Sequence, residues 1–156
     1  MATRGLPAWP YTTTDPEDLP AAERLLLDSA RAWAAARNQG IATVPAMRRI
    51  LATESAEGAA PAMDALLRNL TSAGPLTLGC PLCPRLVGEE PPLLLFAALV
   101  QRGPRREAFA CLLNRMPGRP GYDAMAAAIH LGAAFRRAGL LFADPWRLGS
   151  PARRDG

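Results

Sequence analysis

The side chains best equipped for chemistry are three cysteines and a single histidine. Cys80 and Cys83 stand in the run Gly79-Cys-Pro-Leu-Cys-Pro84. Two thiols three positions apart in a tight turn can aim both sulfurs at one tetrahedral metal. Cys111 and His130 would complete a Cys3His set, the donor count of a closed structural zinc site, so zinc is the cofactor this pattern allows. These two donors lie 28 and 47 residues beyond Cys83, and no second local pair fixes them. The simpler expectation is a proline-stiffened loop with inert thiols, held by Leu76, Leu78, Leu82, Leu86 and Val87. A thiol-redox reading of the same motif lacks its usual context. Thioredoxin-like pairs need a strand before them and a helix directly after, whereas here Pro84 follows at once and helical signals resume only at Glu89.

Arginine supplies the second candidate chemistry. All 18 basic residues are Arg, a pattern that reflects a GC-rich, bacterial-like coding bias and is not by itself evidence of phosphate recognition. The net charge of +4 is unevenly spread: −3 over residues 1–30, +1 over 31–100 and +6 over 101–156. Arg105, Arg106, Arg136 and Arg137 are therefore the candidate patch for an anionic partner, with an ordinary solvated surface as the plain alternative. A helix-turn-helix layout is the DNA-binding alternative. Two helices would flank residues 38–42, with Arg48 and Arg49 on the second. Nucleic acid is not favoured, because Glu23 and Asp28 on the first helix would oppose phosphates.

Catalytic patterns are missing. No Gly-x-Ser-x-Gly, P-loop or Gly-x-Gly-x-x-Gly occurs, and without lysine neither a Schiff base nor a Walker lysine exists. Glu89-Glu90 reads as first-turn helix charge rather than as a catalytic pair. The expected function is that of a small helical interaction or accessory protein working through its surface, with a protein partner or self-association. Trp9, Tyr11 and Trp146 suit docking. The first residues lack a secretory pattern, and three cysteines suit reduced thiols, so the expected location is cytoplasmic. The longest uncharged apolar run, residues 91–101, is about half of the ~20 residues a membrane span needs.

The elements that must position these residues follow from periodicity and breakers. Leu26, Ala30 and Trp33 mark a first helix from Pro20 to the Gly40 stop, with Arg24, Asp28 and Arg31 on another face. Thr43 is the expected N-cap of a second helix burying Met47, Ile50 and Leu51. A third carries Met63, Leu66, Leu67 and Leu70. Glycines and prolines across residues 71–88 forbid a long regular element. A fourth helix opens at Glu89-Glu90, and Gly103-Pro104 separates it from a fifth with Phe109, Leu112, Leu113 and Met116. The sixth spans about residues 122–138. The expected fold is an all-α, single-domain bundle of about six helices with an irregular Pro/Gly/Cys-containing loop in the middle. Residues 1–17 form an extended arm, 18–142 the domain, and 143–156 a flexible tail.

Overall fold

The computed structural model describes residues 15–145. Six α-helices make up the bundle: α1 Ala21–Asn38, α2 Thr43–Leu51, α3 Ala60–Ser72, α4 Glu90–Arg102, α5 Arg105–Arg115 and α6 Arg119–Arg137. Three short 3-10 turns, Pro16–Asp18, Ala52–Glu54 and Glu57–Ala59, complete the helical content, and no strand occurs among the described residues. Residues 73–89 form the irregular central loop, as its breakers require. Trp9, Tyr11 and Trp146 lie outside the described residues.

Both long helices end in the same way. Ile41 N–H donates to Ala36 O and Gly40 N–H to Arg37 O; at the end of α6, Leu140 N–H donates to Phe135 O and Gly139 N–H to Arg136 O. Gly40 and Gly139 sit at φ +69° and +79°, the left-handed residue that this six-to-one closure needs.

α6 is the element around which the bundle is assembled, packing on α3, α4 and α5, while α1 packs chiefly on α2 and also reaches α4. Its inward face is largely small: Ala124, Ala127, Ala128, Gly132 and Ala134, with Leu131 and Phe135. A Cβ at Gly132 would meet Gln101 Cβ at 3.3 Å, so a small residue there lets α4 and α6 approach closely. Gln101, itself buried, fastens three segments. Its Nε2 donates to Gly132 O and Leu140 O, and its Oε1 accepts from Phe142 N–H. The chain after α6 thus turns back onto the core, where Phe142 stacks on Phe135 with ring centroids 5.3 Å apart.

Two of the polar sites that tie α1 to the rest are built on the carboxylates Asp64 and Glu23. Asp64 on α3 accepts from Trp33 Nε1 at 2.8 Å, from Thr43 Oγ1 at 2.7 Å and from Arg68 Nε at 2.7 Å. Thr43 is therefore not the N-cap of α2 expected from its type. Ala42 holds that position, and the threonine hydroxyl reaches across to α3 instead. Glu23 is fully buried near the start of α1 and accepts from Ala143 N–H. Its Oε2 has no hydrogen-bond partner among the described residues. Ala143 is thereby held against α1, and Pro145 beyond it is buried.

These two carboxylates respond to burial with opposite outcomes. Burial pushes the Glu23 carboxyl up from the usual range, against the weaker pull of the Ala143 N–H. Burial also works against ionised Asp64, but the bonds from Thr43, Arg68 and Trp33 outweigh it and hold that carboxyl below the usual range. Folding stability linked to Asp64 is present above its unfolded value near pH 4 and is lost as pH falls through the lower folded value. Stability linked to Glu23 is present below about pH 4 and is lost as pH rises through its raised folded value. Asp64→Asn is expected to cost about 2 kcal/mol near neutrality, the scale of hydrogen bonds to a charged acceptor. Denaturant unfolding from pH 3 to 8 checks the signs: Asp64→Asn should flatten the acid-side loss, and Glu23→Gln the loss towards neutrality.

Candidate functional site

The central loop is organised by a buried ion pair between distant parts of the chain. Arg31 on α1 and Glu90 at the first position of α4 have side chains 1% and 0% exposed. Arg31 Nε donates to Glu90 Oε1 at 2.8 Å and Nη2 to Glu90 Oε2 at 3.0 Å, a bidentate fork. The rest of the guanidinium faces the loop. Nη1 donates to Cys83 O at 2.8 Å and Nη2 to Arg85 O at 2.7 Å. Glu90 completes the clamp from its own side, accepting from Gly79 N–H at 2.7 Å and Val87 N–H at 2.8 Å. Each carboxylate oxygen thus has two donors. Hydrogen bonding to Glu90 holds the Arg31 pKa above its ordinary value despite desolvation.

Close approach fixes two glycines of this loop, Gly79 and Gly88. Gly88 has φ +51°, and a Cβ there would lie 2.5 Å from Thr77 O. Beside it, Glu89 N–H donates to Thr77 O and the Glu89 carboxylate accepts from Thr77 N–H. A Cβ at Gly79 would come within 3.1 Å of Glu90 Oε1 and 3.2 Å of Arg31 Nε.

The clamp holds Cys80-Pro81-Leu82-Cys83 as a hydrogen-bonded turn, with Cys83 N–H donating to Cys80 O at 3.0 Å. Cys80 is exposed and Cys83 half-buried. Leu82, at the tip, is 91% exposed. That corrects the expectation that Leu82 packs inward to hold the loop. Leu76, Leu78 and Leu86 do pack against the core, but the backbone is fixed by the ion pair. A cleft of about 300 Å³ opens beside the turn, lined by Asp15, Glu17, Arg24, Arg31, Pro81, Leu82, Cys83 and Pro84.

The other sequence candidates are dispersed. Cys111 is exposed on α5, against a small apolar groove with Leu70, Leu76, Leu93, Phe96 and Leu112. His130 is exposed on α6. No group of three or more His, Cys, Asp or Glu side chains arranged to hold a metal occurs among the described residues, so the Cys80, Cys83, Cys111 and His130 set is not assembled. Arg105 and Arg136 do converge: Arg105 Nε donates to Val100 O and Arg136 Nη2 to Gln101 O, at the carbonyl end of α4. Arg106 and Arg137 are exposed on α5 and α6. Arg48 and Arg49 are exposed in the last turn of α2, while the start of α2, the end that reads bases in helix-turn-helix proteins, presents Thr43 bonded to Asp64.

Arg31 and Glu90 were not legible as partners. Periodicity places Arg31 on one helix face with Arg24 and Asp28, which form a half-exposed ion pair at 2.9 Å, and gives no sign of a partner on α4. The usable signal is the run Leu25-Leu26-Leu27, all buried. Three consecutive leucines cover more than half the circumference of a helix, so α1 has little face left for solvent and some of its polar residues must be buried. The chain matches no protein-family model, no curated protein and no solved structure.

Removing one partner of a buried pair leaves the other charge uncompensated. Arg31→Met is therefore expected to destabilise by about 3–5 kcal/mol, with a smaller loss in Arg31→Met/Glu90→Leu. Leu82→Ala should change stability by less than about 0.5 kcal/mol. Denaturant melts of the three variants check this, and faster hydrogen exchange at the Gly79 and Val87 amides should accompany the first.

Proposed function

We propose that the protein is a helical interaction module that engages a protein partner through the turn Cys80–Cys83, with Leu82 as the anchor. The observation that carries this reading is Leu82 itself, a large apolar side chain 91% exposed on a backbone clamped by Arg31 and Glu90. Isolated surface leucines are ordinary. This one differs in being pre-positioned, with Pro81 directly before it and Pro84 two residues after, so that little ordering entropy remains to be lost on docking. The partner chemistry that fits is an apolar pocket for Leu82, bordered by polar groups facing the mixed-charge cleft of Asp15, Glu17 and Arg24. Reduced thiols on this exposed turn suit a reducing compartment such as the cytoplasm. No helix among the described residues is long and apolar enough to cross a membrane.

A photo-crosslinking leucine analogue at position 82, activated in the cell of origin, should join the chain to one predominant protein. An adduct of twice the chain mass would identify that partner as a second copy. Leu82→Asp should then weaken binding of the identified partner by roughly 30-fold, the scale of a hot-spot residue, with an unchanged helical melt. Unchanged affinity in that variant would refute the reading.

A further inference from the structure

Residues Cys80 and Cys83 meet the requirements of a disulfide more closely than those of a metal site. Ends of a hydrogen-bonded four-residue turn have Cα atoms within about 7 Å. Disulfides span Cα separations of about 4.4–6.8 Å. Pro81 presets the backbone angle at the second position of the turn. The bonds that hold the turn fall at its two ends: Gly79 N–H to Glu90 just before Cys80, and Cys83 O to Arg31 at the other end. Both thiols are free, and the exposed one, Cys80, is open to a reagent from solvent.

We propose that Cys80 and Cys83 form a reversible dithiol–disulfide pair, oxidised by low-molecular-weight disulfides of the glutathione class. This inference stands on the geometry of the turn and is independent of the identity of any partner. The Cys80 thiolate attacks one sulfur of the small disulfide, forming a mixed disulfide and releasing one small thiolate. The Cys83 thiolate then attacks the Cys80 sulfur, closing the internal S–S bond and releasing the second. The two electrons leave the cysteine pair and reduce the small disulfide, and the two thiol protons end on the two small thiols. Cys111, on α5, takes no part. No helix begins directly after Cys83, since α4 starts at Glu90, so the pair is a modifiable site rather than a thioredoxin-type catalytic centre.

The test equilibrates the freshly reduced full chain in glutathione buffers of graded ratio, followed by acid quench, alkylation and peptide mass analysis. The expected result is a single two-electron transition to a Cys80–Cys83 bridge, with Cys111 still alkylatable. Cys83→Ser should stop at a mixed disulfide on Cys80. Pro81→Gly, which loosens the turn while leaving Arg31 and Glu90 intact, should lower the equilibrium constant for bridge formation roughly tenfold through a lower effective thiol concentration. Separate glutathione adducts on Cys80 and Cys83 without a bridge would overturn the proposal. So would oxidation of Cys111 at the same ratio, or stoichiometric zinc in the purified protein that is lost in Cys80→Ser.

Discussion

The Arg31–Glu90 pair is the interaction on which the central third of the molecule depends. Residues 73–89 contain no helix or strand, so their backbone groups have no ladder to satisfy them. Four of those groups instead bond to the pair: the carbonyls of Cys83 and Arg85 to the cation, the N–H groups of Gly79 and Val87 to the carboxylate. Neither ion would be tolerable in the core alone, because desolvating one charge costs several kcal/mol. Together, and with the loop wrapped over them, every oxygen of Glu90 and every nitrogen of Arg31 has a partner. The loop and the pair therefore depend on each other.

A similar economy of polar groups operates at the other end of α4. Gln101 binds the carbonyls of Gly132 and Leu140 and the amide of Phe142, while Arg105 and Arg136 take the carbonyls of Val100 and Gln101. Arg136 and Arg105 are thus partly structural, supplying donors to carbonyls that a helix leaves unpaired in its last turn. α4 begins in a carboxylate clamp and ends in an amide and guanidinium clamp. Between them its buried face is uniformly apolar: Leu93, Leu94, Ala97, Ala98, Leu99 and Val100.

The helices were legible because their signals are local. Gly40 and Gly139 mark the ends of α1 and α6 where the left-handed stop occurs, and Met63, Leu66, Leu67 and Leu70 lie inward on α3 as their spacing demands. The exposure of Cys111 also follows from its place off the Leu112 stripe. What sequence spacing could not supply is pairing at a distance. Arg31 and Glu90 are 59 positions apart, and each has a sufficient local explanation, as a helix-surface cation and as a first-turn anion. Thr43 and Asp64 fail for the same reason: a hydroxyl at a helix start suggests a cap, and only the packing of α2 on α3 shows the carboxylate it meets instead. Leu82 shows the reverse error, in which apolar character alone suggested burial, whereas the side chain is 91% exposed at the tip of the turn.

The choice of an ion pair over an apolar plug under this loop has a physical logic. Leucine and methionine of equal volume would often give equal or greater stability at such a site. They would not, however, select one backbone path, because apolar contact is non-directional. A guanidinium and a carboxylate with fixed donor and acceptor directions bind four particular backbone atoms and no others. Gly79 and Gly88 narrow the path further, since a Cβ at either would strike the pair or Thr77. The directional core thereby transfers its order outward, through Cys83 O and Gly79 N–H, to a turn that carries two thiols and an exposed leucine. A surface feature held that firmly from below is defined by the fold of α1 and α4 rather than by its own five or six residues.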